Sequence, residues 1–497
     1  MDSNSQFSRD ELLLLLNDLM QVNAEQQERI KRLEEEIARL KNGGSPPSKP
    51  SRELPAFVKP NRKTKDPKQD KPSRKQRLIG FARKRQTPTH IVEHYPHSCT
   101  DCGRKLKGGW VHSSRQIIEI PTVPVDVIQH QFMARHCGVC NRRVVARPDL
   151  SSEALGQSRL GVRLMSFISY LDTVCRIPLA GIQRLLAGLY SLHLSEGEIV
   201  QVLHRVAKAG QSAYDALLTD VRKSAVLYSD ETGSREDGIN GYLWSLSNEN
   251  TRYYFRDPSR SAGVIQKLLG YSPSVLQARS ARKVREAGNA AREAEKMTRQ
   301  SRFRGVLVTD FYAAYSWYGR SIGWHQRCLV HLKRDLDALK AEHIQDPGVC
   351  HWVESVMTLL HRGKEYAKEH SDEPDRFSLV VRRNRRIALE KEVEDLSRPY
   401  CHSALPQHTL AKRLYRHRSE LFVFVHHPDV PPDNNAAERA IRPFVIMRKV
   451  SGGTRSAAGS HTQAVLLSLF STWAMRSLDP LEACRSLLTN KSAFQSP

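Results

Sequence analysis

Two aspartates stand directly after apolar segments, at positions that suit metal-dependent chemistry. Asp230 follows the segment AVLYS, and Asp310 follows the segment GVLVT. Catalytic groups gather at the carboxyl ends of strands in an α/β sheet, so two such aspartates on neighbouring strands can share divalent cations. A single aspartate after a strand is more often a turn former, and that simpler interpretation stays open for the pair. A third carboxylate has to come from another segment.

The segment that begins at Asp433 is the candidate source of the third carboxylate. It reads DNNAAERAIRP, which predicts a short helix that opens near Asn435 and ends before Pro443. Glu438 lies on this helix. However, Asn435 as the cap with Glu438 three residues later would also make a simple capping arrangement. The spacing alone does not separate a metal ligand from a cap.

Basic residues surround Glu438 and continue along the rest of the chain. We interpret the nearest ones as phosphate contacts. They are Arg439, Arg442, Arg448 and Lys449. The run SGGTRSAAGS that follows suits a backbone that approaches phosphates. The 497 residues include 77 Lys+Arg and 53 Asp+Glu, a formal net charge of +24, which predicts an anionic partner. Nucleic acid is the commonest such partner. A membrane surface is less well supported, because the sequence has neither a signal peptide nor an apolar run of ~18 residues.

Two Cys-x-x-Cys pairs predict a structural zinc site. The four cysteines are Cys99, Cys102, Cys137 and Cys140. Each pair places two thiolates on one side of a tight turn, and two pairs complete a tetrahedral site for one Zn²⁺ that helps a small module to fold. We expect the intervening residues 110–136 to form strands. The alternatives are four unrelated core thiols, or replacement of one thiolate by His97 or His136.

Three segments together resemble a known family. They are YSDETG at residues 228–233, LVTDFYAAY at residues 307–315, and the run at residues 434–442 followed by Arg448 and Lys449. They are similar to the catalytic blocks of IS66-family insertion-sequence transposases. The resemblance implies an RNase H-like domain with a DDE triad of Asp230, Asp310 and Glu438. It also implies two catalytic Mg²⁺, for which Mn²⁺ can substitute. Phe311 departs from the pattern, since the family usually has glycine after the second aspartate.

A Cys-x-x-His element lies between the second aspartate and the glutamate. Cys328 and His331 resemble an element that such transposases carry at this place. We favour a buried pair that braces the active site over a pair that binds zinc.

The elements that must position these residues make a multidomain α/β protein. Heptads of apolar residues predict a coiled coil that forms a dimer, and alternating apolar segments predict the strands of the catalytic sheet. A short turn around residues 191–194 joins two helices as in a helix-turn-helix, with a plain packing domain as the alternative. The predicted segments are a coiled coil (8–42), a basic flexible linker (43–89), a zinc-binding module (90–150), a helical DNA-binding domain (155–222), an RNase H-like catalytic domain (223–460) with an insertion at about 271–304, and C-terminal helices (461–497).

These features predict a DNA transposase. It would hydrolyse DNA at the ends of an insertion sequence and transfer the freed 3′-OH into target DNA. The alternatives are a non-catalytic DNA-binding regulator and a nuclease that cuts without joining. Expected partners are double-stranded DNA at the element ends and the target, a second copy of the chain or a higher oligomer, and accessory proteins of the element, with no membrane. The nine cysteines indicate a reduced compartment, so we expect a bacterial cytoplasmic, nucleoid-associated protein.

Overall fold

The structure is a computed structural model that describes residues 86–120, 124–271, 302–371 and 376–489, with a few positions between 20 and 35. The chain divides into two units, Met1–Ile118 and Glu119–Pro497. The coiled coil, nearly all of the basic linker and most of the insertion fall outside the described residues, so they stay predictions. The fold described below belongs to the second unit.

The strands and helices of the described residues follow one another in chain order. The strands are β1 (Ala134–Cys137), β2 (Arg142–Val145), β3 (Val226–Glu236), β4 (Ile239–Ser247), β5 (Arg252–Asp257), β6 (Val306–Thr309) and β7 (His325–Arg327). The helices are α1 (Val162–Thr173), α2 (Leu179–Tyr190), α3 (Glu196–Ala209), α4 (Gln211–Arg222), α5 (Ala262–Leu268), α6 (Ser316–Ser321), α7 (Leu329–Glu342), α8 (Pro347–Glu369), α9 (Arg376–Ser397), α10 (His408–His417), α11 (Val423–His426), α12 (Asn435–Ser451), α13 (Ala457–Met475) and α14 (Pro480–Leu488).

A mixed sheet of five strands lies at the centre of this unit. Its order is β5-β4-β3-β6-β7, and β3, β4 and β5 pair antiparallel while β3, β6 and β7 pair parallel. Asp237 and Gly238 form the β3–β4 turn with φ values of +49° and +78°, as a two-residue hairpin requires. Gly305 leads into β6, where a side chain would collide with the carbonyl of Ala225. The predicted α/β class and the strands predicted from the apolar segments are confirmed.

Helices cover both faces of the sheet. Alternation along β3 places Leu227 in one core with helices α1–α4, α13 and α14, and turns Val226 and Tyr228 toward a second core with α7–α11. Helix α13 has buried residues on all sides, including Val465 and Trp473, as expected for a helix inside a core. None of the helices in the described ranges has the length and apolarity needed to cross a membrane.

The helical region before the sheet shares a core with it. Ser195 and Glu198 form the capping box that opens α3, and Ser191 closes α2 in a left-handed conformation, so the two helices are joined by a short turn as expected. Helices α1–α4 pack in the same core as Leu227 of β3. The boundary predicted between residues 222 and 223 therefore separates elements of one core. The boundary predicted between 460 and 461 falls inside α13.

Candidate active site

The two aspartates lie side by side at one end of the central strands. Parallel pairing of β3 with β6 ends at Tyr228 and Val308, and each aspartate comes two residues later in its own strand segment. Asp310 follows β6 directly, as predicted. Asp230 does not end its strand, because the hairpin with β4 carries β3 on to Glu236 and pairs Asp230 with Ser245. What ends near Asp230 is the parallel pairing of β3 with β6.

The environment of Asp230 favours its neutral form. Burial is the main cause that raises its pKa to about 7, and the charges of Glu231, Asp310 and Glu438 add to it. One oxygen of Asp230 accepts a hydrogen bond from the backbone N–H of Glu231 at 2.9 Å, which has the opposite, smaller effect. The predicted carboxylates therefore repel one another at one place. A clustered set of carboxylates is the environment that a divalent cation stabilises.

Asn434 joins the helix that carries Glu438 to the strand that carries Asp230. Its side-chain amide donates to the carbonyl of Ser229 at 3.0 Å, and its backbone N–H donates to the Cys328 sulfur at 3.2 Å. Asn434 is almost completely buried and fixes the start of α12 against β3. The sequence pattern gave no signal for this residue, because its partner lies 205 positions away in the chain.

The capping interpretation of Glu438 is wrong. The cap of α12 is Asn434, which makes no side-chain cap hydrogen bond, so Glu438 is one residue too late for a capping box. Its carboxylate instead lies 3.6 Å from Nε2 of His331. The prediction that the helix ends before Pro443 is also wrong, since α12 continues to Ser451.

Cys328 and His331 brace the site from the start of α7. The Cys328 thiol is fully buried and accepts the Asn434 hydrogen bond, and His331 contacts Glu438. Interaction with Cys328 is the main cause that raises the pKa of His331, and the charges of Asp310 and Glu438 act in the same direction against burial. These contacts support the bracing pair that we favoured over zinc binding.

A buried ion pair between Arg327 and Glu420 holds the backbone of Asp310. The guanidinium of Arg327, which is 0% exposed, donates to the Asp310 carbonyl at 2.7 Å and to Glu420 at 2.7 Å. His417 also contacts Glu420, at 2.9 Å. Phe311 packs with its ring edge toward His417 and with the guanidinium of Arg413 over its face, 4.8 Å away. Its departure from the family's usual glycine therefore serves packing on this network.

Glu231 faces away from Asp230, as alternation along the strand predicts. Arg260 donates to its carboxylate at 2.7 Å, and the buried Tyr315 hydroxyl donates to its other oxygen. Arg260 also lies over the ring of Tyr312, 3.9 Å from the centroid. Tyr312 in turn donates its backbone N–H to Asp310 at 2.9 Å. Glu231 thus belongs to a packed network behind the site, and its loss would affect the fold as well as the site.

The donors at this site suit hard divalent cations. Carboxylate oxygens are the ligands that Mg²⁺ and Mn²⁺ prefer. In the described ranges, no group of three or more His, Cys, Asp or Glu side chains is drawn together closely enough to hold a metal ion. Asp310 and Glu438 both raise the pKa of Asp230, so a bound cation would offset the repulsion between these carboxylates.

The predicted phosphate contacts differ in how far they are free to bind. Arg439, Arg442 and Lys449 are exposed on α12. Arg448 donates to the Thr232 hydroxyl at 3.1 Å and to the Gly233 carbonyl, so it ties α12 to β3. The glycine-rich run after α12 approaches protein backbone rather than lying open: Thr454 donates its N–H to the Arg235 carbonyl at 3.0 Å and accepts from the Asp237 N–H at 2.8 Å.

Each cysteine pair lies on a tight turn in its own unit. In the first unit, the backbone carbonyl of Cys99 accepts a hydrogen bond from the Gly103 N–H, and the backbone N–H of Cys99 donates to the Arg104 carbonyl, both at 2.9 Å. In the second unit, Cys137 ends β1, and Cys140 lies in the turn before β2. Both pairs thus lie on tight turns, as predicted, and zinc binding stays a prediction.

The prediction that residues 110–136 form strands is largely wrong. Among the described residues of that segment, only Ala134–His136 lie in a strand. A strand needs a neighbour to pair its backbone groups, and only β1 finds one, in β2.

Asp230 is expected to make the stability of the metal-free protein depend on pH. Its folded-state pKa is about 7, against an ordinary value of 3.8. Because folding raises the pKa, the folded state holds an extra proton between these values, and the free energy of unfolding falls as pH rises through that window. Thermal unfolding in a chelator, on either side of the window, should show a shallower pH dependence in Asp230→Asn than in the wild type. Equal slopes would contradict the assignment.

The chain is similar to a described protein family and to two proteins of one bacterial strain. A family model described as "Transposase IS66 family" matches residues 157–279 and 285–462, which include all three carboxylates. In Sinorhizobium fredii (strain NBRC 101917 / NGR234), the uncharacterized protein y4jO is 32% identical over 170 residues, which are 34% of this chain and 47% of that protein. The uncharacterized protein y4jD of the same strain is 24% identical over 426 residues, which are 81% of this chain and 76% of that protein. The match thus spans about half the length of y4jO. The family model covers well over half of the chain, and the chain belongs to the IS66 family of transposases.

Proposed function

We propose that this protein is a DDE transposase with an RNase H-like catalytic domain. The observation that carries the proposal is the electrostatic coupling of three carboxylates from separate segments, in which Asp310 and Glu438 both raise the pKa of Asp230. Asp230 and Asp310 come from adjacent central strands, and Glu438 comes from a helix that Asn434 fixes against them. Each of the three family blocks thus supplies one carboxylate to the proposed site.

The three carboxylates would hold two Mg²⁺, for which Mn²⁺ can substitute. When bound, such a pair of ions stabilises the attacking and leaving oxygens of an in-line phosphoryl displacement. Asp230, Asp310 and Glu438 would hold these ions through their carboxylate oxygens. His331 lies beside Glu438, and Arg327 holds the Asp310 backbone, so both would keep the carboxylates in position.

The chemistry would proceed as two displacements at phosphorus in one site. Water first displaces the 3′ oxygen at the element end and leaves a free 3′-OH. That hydroxyl then attacks a phosphodiester of the target, and the broken target bond is replaced by a new one, so no external energy source is needed. The exposed Arg439, Arg442 and Lys449 would bind DNA phosphates next to the carboxylates.

Strand-transfer assays with the full-length protein test this function. DNA that carries the inverted repeats flanking the coding region, incubated with Mg²⁺ and target DNA, should give cleaved ends and joined products. Cleaved ends without joining would indicate a nuclease. Binding without cleavage would indicate a regulator. Either outcome would overturn the proposed function.

The four cysteines Cys99, Cys102, Cys137 and Cys140 are proposed to hold one structural Zn²⁺ per chain. Metal analysis of the purified protein should give close to one zinc, and Cys137→Ser should lower this content and loosen the module, because structural zinc contributes folding energy. Cys175→Ser is the matched control, since Cys175 is an exposed cysteine outside both pairs. Unchanged zinc after replacement of all four cysteines would defeat the assignment.

A further inference from the structure

A cluster of basic and aromatic side chains lies outside the candidate active site. Arg382 and Arg386 lie one turn apart on α9, and His426 and His427 lie at the end of α11. The guanidinium of Arg386 is 4.7 Å from the ring centroid of Trp324. The rings of His426 and His427 are 5.5 and 5.1 Å from the Trp324 ring. We call these five residues the Trp324 cluster.

Arg382 is buried without a partner. It is 1% exposed, and in the part of the chain that the structure describes none of its three guanidinium nitrogens has a hydrogen-bond partner. Nε of Arg386, Nδ1 of His426 and Nε2 of His427 are also buried and unpaired. A buried guanidinium without a counter-charge is among the costliest groups in a protein, and buried polar groups are nearly always satisfied. The cluster therefore lacks an acceptor.

The charge around the cluster is positive. Burial, followed by the charges of Arg386, Arg383 and Arg382, lowers the pKa of His426, so these guanidinium groups lie near His426. Two carboxylates lie nearby. Glu390 is bound to Arg386 at 2.6 Å, and Asp429 acts on His427. Neither of them satisfies Arg382. An anion that only accepts hydrogen bonds would complete the cluster.

We propose that the Trp324 cluster binds a phosphate group of a DNA strand. This inference rests on the proposed function, because that function supplies the DNA. A phosphate offers several acceptor oxygens and no donors, and it matches the planar fork of an arginine. Trp324 is 37% exposed, so the cluster reaches the surface at this residue.

The cluster would give bound DNA a fixed point away from the carboxylates. Trp324 directly precedes β7. Because Leu307 of β6 pairs with His325 of β7, Trp324 lies opposite Val306 at the start of β6. Asp310 follows the opposite end of β6, four residues from Val306 and thus about 13 Å along the strand direction. A DNA strand that contacts both the Trp324 cluster and the carboxylates would be held at two points.

The variant Arg382→Met in the full-length protein tests this inference. Binding to duplex DNA with the element end, measured over a range of salt concentrations, should weaken about tenfold. The slope of log K against log salt should fall by about one, as expected for the loss of one phosphate contact. Thermal stability should be unchanged or higher, because an unpaired buried charge is removed. Lys391→Met is the control, since it removes the same charge from an exposed position on the same helix.

A second variant and a second ligand distinguish DNA binding from a structural role of Arg382 and from binding of free phosphate. Arg382→Lys keeps the charge and should bind DNA with intermediate affinity. If both Arg382 variants are less stable but bind DNA as the wild type does, Arg382 is structural and the inference is overturned. If inorganic phosphate raises the melting temperature of the wild type but not of Arg382→Met, while DNA binding is equal, the site takes free phosphate and the assignment to DNA is overturned.

Cleavage by the wild type, measured on the same preparation, separates this inference from the proposed function. A wild type that cleaves, beside an Arg382→Met variant with unchanged DNA binding, overturns the Trp324 cluster alone. A wild type that binds DNA through Arg382 but never cleaves supports the cluster and overturns the proposed function.

Discussion

Replacing any of the three carboxylates by its amide is expected to abolish strand cleavage and strand transfer. Asp230→Asn, Asp310→Asn and Glu438→Gln keep the side-chain size and remove one charge that would bind metal. Two dications supply several kcal/mol of transition-state stabilisation, and ~4 kcal/mol already corresponds to about a thousandfold in rate. Single-turnover cleavage of element-end DNA in Mg²⁺ measures the effect. DNA binding should change little, because it depends on the basic surface.

The control for these variants is Asp337→Asn. Asp337 is an exposed carboxylate on α7 that pairs with Lys333 and is not among the groups that shift the pKa of Asp230. Its loss should leave cleavage near the wild-type rate. Glu231→Gln is a poor control, because the Glu231 carboxylate is buried against Arg260 and Tyr315. A folded Asp310→Asn protein with wild-type cleavage would rule out a shared site.

Glu420→Gln is expected to cause the largest loss of stability. The substitution leaves the buried Arg327 without a counter-charge, and breaking a buried pair in this way costs about 3–5 kcal/mol of unfolding free energy. Cleavage should also fall, since Arg327 holds the Asp310 carbonyl. Denaturant unfolding measures the stability. Glu392→Gln is the control, because it breaks an exposed pair with Arg362 and should cost at most about 1 kcal/mol.

The pH dependence of stability gives an independent check of the same pair. Burial opposes ionisation of Glu420, but hydrogen bonds from His417 and Arg327 and the charges of His325 and Arg327 outweigh it and lower its pKa to about 2. The ordinary value is 4.5, so this contribution is present above that pH and is lost as pH falls toward 2. Acid unfolding of Glu420→Gln should lack this component. An identical acid transition in both proteins would contradict the ion pair.

Local patterns predicted the parts of the fold that depend on nearby residues. Alternating apolar segments predicted the strands of the sheet, and the turn around residues 191–194 was predicted to join two helices, as it joins α2 to α3. The sequence pattern missed features that depend on distant contacts. Helix α12 continues through Pro443, at a cost of about 3 kcal/mol, because Phe444 and Met447 beyond it pack into a core with β4 and β5.

The residues of the candidate site also fall into those with a local sequence signal and those without one. Asp230 and Asp310 were visible as polar residues after apolar segments. Glu438 needed the family resemblance, because its local sequence also fits a cap. Asn434, Arg327 and Glu420 carry no local signal, since their partners lie far away in the chain. Only the folded sheet shows that they position the carboxylates.

We propose that β3, β6 and the start of α12 build one metal centre. Fe²⁺ substituted for Mg²⁺, with ascorbate and peroxide, generates radicals that cut the backbone next to a bound metal. The full-length protein should be cut near Asp230, Asp310 and Glu438 together, and excess Mg²⁺ or the Asp230→Asn substitution should suppress all three cuts. Cuts near only one of these residues, or cuts that Asp230→Asn leaves unchanged, would contradict a shared centre.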